Sequence, residues 1–331
     1  MAELLQPAEV QSAVESISML KGGLNQVLLD QEGVVEKVVV AVLSRGHVLL
    51  EGLPGLGKTE LCKGLARLLG LPFRRLQFTP DLLPGDITGT YVVEGDKREF
   101  SFRPGPVFTS LLLADEINRS SPKTQSALLE AMQERSVTVL GNTHPLPTPF
   151  FVLATQNPIE LEGTYPLPEA QLDRFLFRVQ VPGVGAKTLT TLLTQRVGGA
   201  PPKLSPVLDG PGLLELMAKV DRVHLPVPVA DFIGRLVEAT DPAKPSSPDE
   251  VRRFVRYGAS PRAALGMAQS ARALALSRAK PNVGFDEVAE VAGAVLNHRL
   301  VLAYEASLEK VSPAQVVAAL LRAVPEVARA A

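Results

Sequence analysis

With 331 residues, 46% of them hydrophobic, the chain has room for two ordinary domains and can bury a sizeable core in each. Its 34 basic and 35 acidic residues leave a formal charge of −1, which excludes a strong whole-molecule field for nucleic acid or an anionic membrane. The single cysteine, Cys62, excludes an intrachain disulfide, fits a reducing cytoplasm and reads as a small buried apolar residue.

From Leu4 to Leu43 apolar residues recur at helical spacing, with breaks expected at Gly22-Gly23 and around Asp30. Glu3, Glu9 and Glu15 stand where a signal peptide would carry a basic start and an apolar run. The stretch Val34 to Leu43, interrupted by Glu36 and Lys37, is too short to span a membrane, so a cytoplasmic protein without membrane insertion is expected. Short apolar runs then follow at Val48–Leu50, Phe73–Phe78, Ser110–Ala114, Phe150–Ala154 and Phe175–Val181, mostly separated by helical segments. Continuous rather than alternating apolarity marks strands buried on both faces, as in a parallel sheet sandwiched by helices.

Two inserted hairpins are expected, Tyr91–Val93 with Glu99–Phe102 and Ser136–Leu140 with Thr143–Leu146. Glycine and proline punctuate the chain from Pro182-Gly183 to Gly210-Pro211-Gly212, and the remainder is rich in alanine and leucine at helical spacing. Helices are expected over Leu213–Val220, Val229–Ala239, Pro261–Arg278, Phe285–Leu296 and Pro313–Ala323, with a loop at Pro242–Pro248. The chain thus divides into a three-layer αβα domain over 1–200, carrying both hairpins, and a small all-α domain over 206–331.

The segment Gly52-Leu53-Pro54-Gly55-Leu56-Gly57-Lys58-Thr59 fits the phosphate-loop pattern G-x-x-x-x-G-K-[ST] between an apolar strand and a helix beginning near Glu60. Glycines let backbone N–H groups approach a polyphosphate at the positive end of a helix dipole. Lys58 then reaches the β and γ phosphates, and Thr59 ligates Mg²⁺. The run Leu111–Ala114 ends in Asp115-Glu116, two acids at the carboxyl end of a strand beside the phosphate loop. There Asp115 can hold Mg²⁺ through water and Glu116 can polarise the attacking water. The next strand closes on Thr155-Gln156-Asn157-Pro158, which places Asn157 beside Glu116 with an amide able to orient water and sense the γ-phosphate.

The series phosphate loop, Leu113–Arg119, Ala154–Pro158 and Glu169–Phe175 resembles the AAA+ ATPases, and within them closely the MoxR family. The likeness runs over nearly the whole chain and is strongest between Gly46 and Phe177. It implies a helix-2-insert AAA+ P-loop module with sheet order 5-1-4-3-2, a helical lid, ATP as ligand and a hexameric homo-oligomer. By the same resemblance Arg174 is an arginine finger reaching a neighbouring subunit's γ-phosphate, and Arg262 is a sensor arginine contacting its own subunit's nucleotide. The nucleotide-binding set is then Gly52, Pro54, Gly55, Leu56, Gly57, Lys58, Thr59 and Glu60, with Gln31 in Leu28–Glu32 lining the base pocket. In that stretch Asp30 stands where the family usually has glycine, a position aspartate tolerates because it can adopt left-handed backbone. Arg119 is left open between a subunit-interface role and a salt bridge to Glu169 or Asp173.

The expected activity is ATP hydrolysis that drives remodelling or activation of a protein partner. The resemblance suggests a partner with a von Willebrand factor A domain. A chelatase-like subunit, a nucleic-acid motor and a slowly hydrolysing scaffold are the alternatives. Against a motor, no aromatic and basic groove is evident. Lys97 and Arg98 at the first hairpin tip, or His144 in the second, could touch a client, though exposed turn charges are ordinarily just solvated. None of the four histidines has metal-ligand spacing.

Overall fold

The computed structural model describes residues 4–94, 99–157, 163–195 and 202–327. Two helices open the chain, α1 (Pro7–Val27) and α2 (Glu32–Leu43). The break expected at Gly22-Gly23 does not occur, and α1 runs through both residues. Gly23 is there for packing, since a Cβ on it would lie 2.7 Å from Leu68 Cδ2. The second expected break is real, with Asp30 in the left-handed region at φ 59°.

The αβα part follows as β1 (Val48–Glu51), α3 (Lys58–Leu68), β2 (Phe73–Gln77), α4 (Pro84–Thr88), β3 (Gly89–Glu94), β4 (Glu99–Pro104) and β5 (Leu111–Asp115). It continues with α5 (Pro122–Glu134), β6 (Ser136–Val139), β7 (Asn142–Pro145), β8 (Phe151–Gln156), α6 (Glu169–Leu172), β9 (Phe177–Gln180) and α7 (Ala186–Gln195). Five of these strands form one sheet in the order β2-β5-β8-β1-β9, with every neighbouring pair parallel. Counted along the sheet strands alone, this is the expected order 5-1-4-3-2.

Alternate residues of the central strands leave on opposite faces. Leu111, Leu113, Phe151 and Leu153 join the core shared with α1, α2 and α3, whereas Leu112, Ala114, Val152 and Ala154 join the core under α5. Burial on both faces explains why these strands read as unbroken apolar runs. All five carboxyl ends then lie along one edge of the sheet, and all five amino ends along the other.

The inserted hairpins form as expected, β3 with β4 and β6 with β7. Leu140 and Gly141 between β6 and β7 have φ of 49° and 81°, the positive pair that a tight hairpin turn requires. His144 is partly exposed and is held between the hairpins. Its ring stacks on Phe102 at a centroid separation of 3.9 Å and an interplanar angle of 9°, which ties the two hairpins together. Lys97 and Arg98 lie outside the described residues.

The helical part comprises α8 (Gly210–Arg222), α9 (Val227–Glu238), α10 (Asp249–Phe254), α11 (Pro261–Ser277), α12 (Phe285–Leu296), α13 (Tyr304–Leu308) and α14 (Pro313–Ala323). A small antiparallel ribbon, β10 (Val255–Tyr257) with β11 (Val301–Leu302), adds to the expected helices. Its strands are too short for periodicity to register. Among the described residues no helix is long and apolar enough to cross a membrane.

Two histidines are structural. His47 accepts from Val152 N at Nδ1 (3.0 Å) and donates from Nε2 to Met132 O (3.3 Å), stitching β1, β8 and α5. His298 donates from Nε2 to Phe175 O (2.9 Å). Burial lowers their pKa values to about 4 and about 3, the neighbouring Arg299 charge adding to the effect at His298. Both are therefore neutral in the folded protein, while the unfolded chain protonates them below about pH 6.5. As pH falls from 6.5 to 5 the unfolded state gains protons that the folded state does not, so stability declines by about 2 kcal/mol per histidine. Urea midpoints at pH 7 and pH 5 check this, and equal midpoints would count against neutral burial.

Candidate functional site

Phosphate-loop geometry is set by β1 and α3. The chain leaves β1 at Gly52, where a Cβ would sit 2.7 Å from Val181 O, so only glycine fits between β1 and the end of β9. Gly55 and Gly57 take φ of 80° and 83°, and Gly57 is the N-cap of α3. The first N–H groups of α3 therefore open into a cleft of about 370 Å³ lined by Pro54, Gly55, Gly57, Lys58, Thr59 and Glu60 on one side. Arg75, Gln77, Asp115, Glu116, Thr155 and Asn157 line the other side. The loop, both acids and the amide are thus brought together as expected. Leu56 instead packs against the core, and Glu60 pairs with Lys63 at 2.8 Å.

Within the cleft Lys58 Nζ donates to Gly52 O at 2.6 Å. Burial pulls its pKa down, against the opposing charges of Asp115, Glu116 and Glu51. Asp115 is nearly buried, at 9% exposure, and both of its oxygens are engaged. Thr155 Oγ1 donates to Oδ1 at 2.6 Å, and Arg75 donates to Oδ2 from Nε (2.9 Å) and Nη2 (2.7 Å). Glu116 stands at φ 56°, a left-handed conformation costly for a residue with a Cβ, and its N–H donates to Thr155 Oγ1 at 2.8 Å. Gln77 Nε2 donates to Glu116 Oε2 at 2.7 Å, and Arg119 Nε lies 3.2 Å from the same oxygen. Arg119, left open between a subunit-interface role and a salt bridge to Glu169 or Asp173, pairs here with Glu116, because the short 3₁₀ turn Ile117–Arg119 folds it back over the acid.

Arg75, Gln77 and Thr155 are site residues that sequence reasoning missed. Register alone would have found two of them. On β2 and β5 Gln77 is the partner of Asp115, and Arg75 lies two residues earlier on the same face.

At the base end, Gln31 is buried at 4% exposure and donates from Nε2 to Pro182 O at 3.3 Å, while its buried Oε1 has no hydrogen-bond partner among the described residues. Asp30 accepts from Thr188 Oγ1 at 3.0 Å and so anchors α7 beside this stretch. Cys62 is fully buried and burial pushes its thiol pKa up, in keeping with a packing role.

Arg174 and Arg262 lie elsewhere. Both line a separate depression of about 330 Å³, with Arg45 and His47 from the segment just before β1. The loop Gly52–Thr59 leaves the carboxyl end of β1, so the length of the strand separates the two sites. Arg262 is expected to contact its own chain's nucleotide, and in this structure it lies with Arg174, apart from the phosphate-loop cleft. Its Nη1 instead lies 3.4 Å from Asp173 Oδ2, because α11 begins beside the turn that precedes β9. Arg174 is half-buried, and its buried Nε finds no acceptor among the described residues.

Residues 47–177 match the model of the ATPase family associated with various cellular activities (AAA), and residues 249–320 match an AAA lid domain. Chaperone MoxR1 of Mycobacterium tuberculosis is 44% identical over 317 residues, 96% of this chain and 83% of that one. The chain belongs to the MoxR family of AAA+ ATPases. Protein MoxR of Paracoccus denitrificans is 33% identical over 90% of this chain and 93% of its own. A crystal structure from Cytophaga hutchinsonii, 36% identical, superposes with a TM-score of 0.89 over 97% of both chains. The MoxR-family chain thus combines an AAA+ core with a helical lid. Its phosphate-loop cleft lies at the carboxyl edge of the sheet, and its two motif arginines lie at the amino edge.

Proposed function

We propose that this protein is a Mg²⁺-dependent ATP hydrolase that assembles into a ring, six-membered by the family expectation, and uses the nucleotide cycle to remodel or activate a protein partner in the cytoplasm. One observation carries the reading: Lys58, Thr59, Asp115, Glu116 and Asn157 share a cleft whose lining arginine, Arg75, is held by Asp115, while Arg174, whose buried Nε has no acceptor among the described residues, sits at the opposite edge of the sheet. Side by side, two chains would present the arginines of one to the cleft of the other.

In that assembly the α3 N-terminus and Lys58 bind the phosphates, and Gln31 offers its Oε1 to a base amino group. Thr59 through its hydroxyl and Asp115 through water, both its oxygens being already engaged by Thr155 and Arg75, would hold Mg²⁺, which would screen phosphate charge there. Glu116 takes the proton from the attacking water while Asn157 orients it. The neighbour's Arg174 stabilises charge on the transferred phosphoryl group, with Arg262 beside it in the same role. A partner carrying a von Willebrand factor A domain is consistent with the family. The name of the Mycobacterium relative, a chaperone, supports work on proteins.

Steady-state phosphate release tests the reading. Turnover per chain should rise with protein concentration, as chains gain neighbours, and Lys58→Ala should abolish both nucleotide binding and turnover. Turnover independent of concentration over a range in which light scattering shows assembly would overturn the shared site.

A further inference from the structure

We propose that Arg299 is a positioning residue that fixes Arg174 in its finger conformation and couples it to the lid. The inference rests on the trans-acting reading of Arg174 given above.

Arg299 follows α12 and its side chain is only 4% exposed. A guanidinium has five N–H donors, and here each has a bond. Nε donates to Asp173 Oδ1 at 2.7 Å; Nη1 donates to Leu176 O (3.1 Å) and Val295 O (2.5 Å); Nη2 donates to Asp173 O (3.1 Å) and Phe175 O (2.8 Å). Apart from Val295 O in the last turn of α12, the acceptors all belong to Asp173, Phe175 and Leu176, which flank Arg174 on both sides. His298 adds a bond to Phe175 O, and Ser260 Oγ donates to Asp173 Oδ2 at 3.0 Å.

The consequence is mechanical. Three carbonyl directions flanking Arg174, those of Asp173, Phe175 and Leu176, are set by side chains of the helical part, so its backbone cannot turn without breaking charge-assisted bonds in a dry environment. A rotation of α12 must carry Arg174 with it. Asp173 also receives Arg262, so one carboxylate, on the residue just before Arg174, joins the start of α11 to the segment that follows α12. A misplacement of about 1 Å in a transition-state contact can cost about 100-fold in rate, which is the scale on which such a clamp acts.

Mixed assemblies test this. A Lys58→Ala chain binds no nucleotide but presents its Arg174, whereas an Arg174→Ala chain binds nucleotide but presents no finger; their mixture should recover turnover. Arg299→Gln is then added to one chain or the other. On the Lys58→Ala donor it should lower the mixture's turnover about 100-fold. On the Arg174→Ala acceptor, where there is no finger left to position, turnover should stay near the reference. If both placements reduce it equally, Arg299 is a general staple and the positioning role is overturned. If the reference mixture itself is silent, the trans reading of Arg174 falls, and the positioning role with it. Arg299→Lys, which keeps the charge but cannot bridge all three carbonyls, provides the same asymmetry should the glutamine variant fail to fold, as judged by its thermal midpoint.

Discussion

Glu116→Gln should bind ATP as the wild type does and hydrolyse it 10²- to 10⁴-fold more slowly, the range expected when a general base is removed. The substitution is nearly isosteric and the surrounding geometry survives it. The Glu116 N–H still reaches Thr155 Oγ1, so the left-handed turn that aims the side chain into the cleft is kept. A glutamine oxygen can still accept from Gln77 Nε2. What is lost is the carboxylate that takes a proton from water. Binding should persist because Lys58, Thr59 and the start of α3 line the same cleft unchanged. Fluorescent-nucleotide titration and phosphate release, measured on the same preparation, separate the two effects. Weakened binding with unchanged turnover would place Glu116 in ground-state recognition instead. The variant is also a trap. A partner recovered with it only in the presence of ATP would be a client, and recovery of nucleic acid would favour a motor.

How far residues alone could reach this site follows from which features are local. The phosphate loop, the acid pair and the five sheet strands are each contiguous in sequence, and burial on both faces leaves the central strands β1, β5 and β8 as apolar runs, whereas the edge strands β2 and β9 carry polar residues. Sheet order came through resemblance to a family, as did the lid role of the helical domain, whose helices periodicity had marked. Features decided by packing between distant elements were illegible. Gly22-Gly23 reads as a break by propensity, yet α1 continues because Gly23 admits the Leu68 side chain at a distance no Cβ would allow. His144 reads as an exposed turn residue, yet Phe102 from the other hairpin covers it. Arg75 and Gln77 look like the polar face of an edge strand, and only their register against β5 puts them on Asp115 and Glu116. The placement of Arg262 is the largest such case. Its motif says nothing about where α11 docks, and α11 docks beside Asp173.

Arg174→Ala should leave ATP affinity unchanged and lower turnover by 10³- to 10⁵-fold, the range associated with an arginine finger. The separation of the two effects follows from the fold. The finger lies at the amino edge of the sheet and the phosphate loop at the carboxyl edge, so the truncation removes nothing from the chain's own cleft. Folding stability should change little, because the buried Nε has no acceptor among the described residues to lose. Restoration of turnover by Lys58→Ala chains, themselves inactive, would show that the guanidinium acts on a neighbour. Arg262→Ala provides the companion measurement. Its bond to Asp173 is long, at 3.4 Å, and the side chain is half exposed, so as an ion pair it contributes little to stability. A large fall in turnover at an unchanged melting temperature would assign Arg262 to the shared site. A fall in melting temperature with turnover preserved would make it a structural contact of the lid.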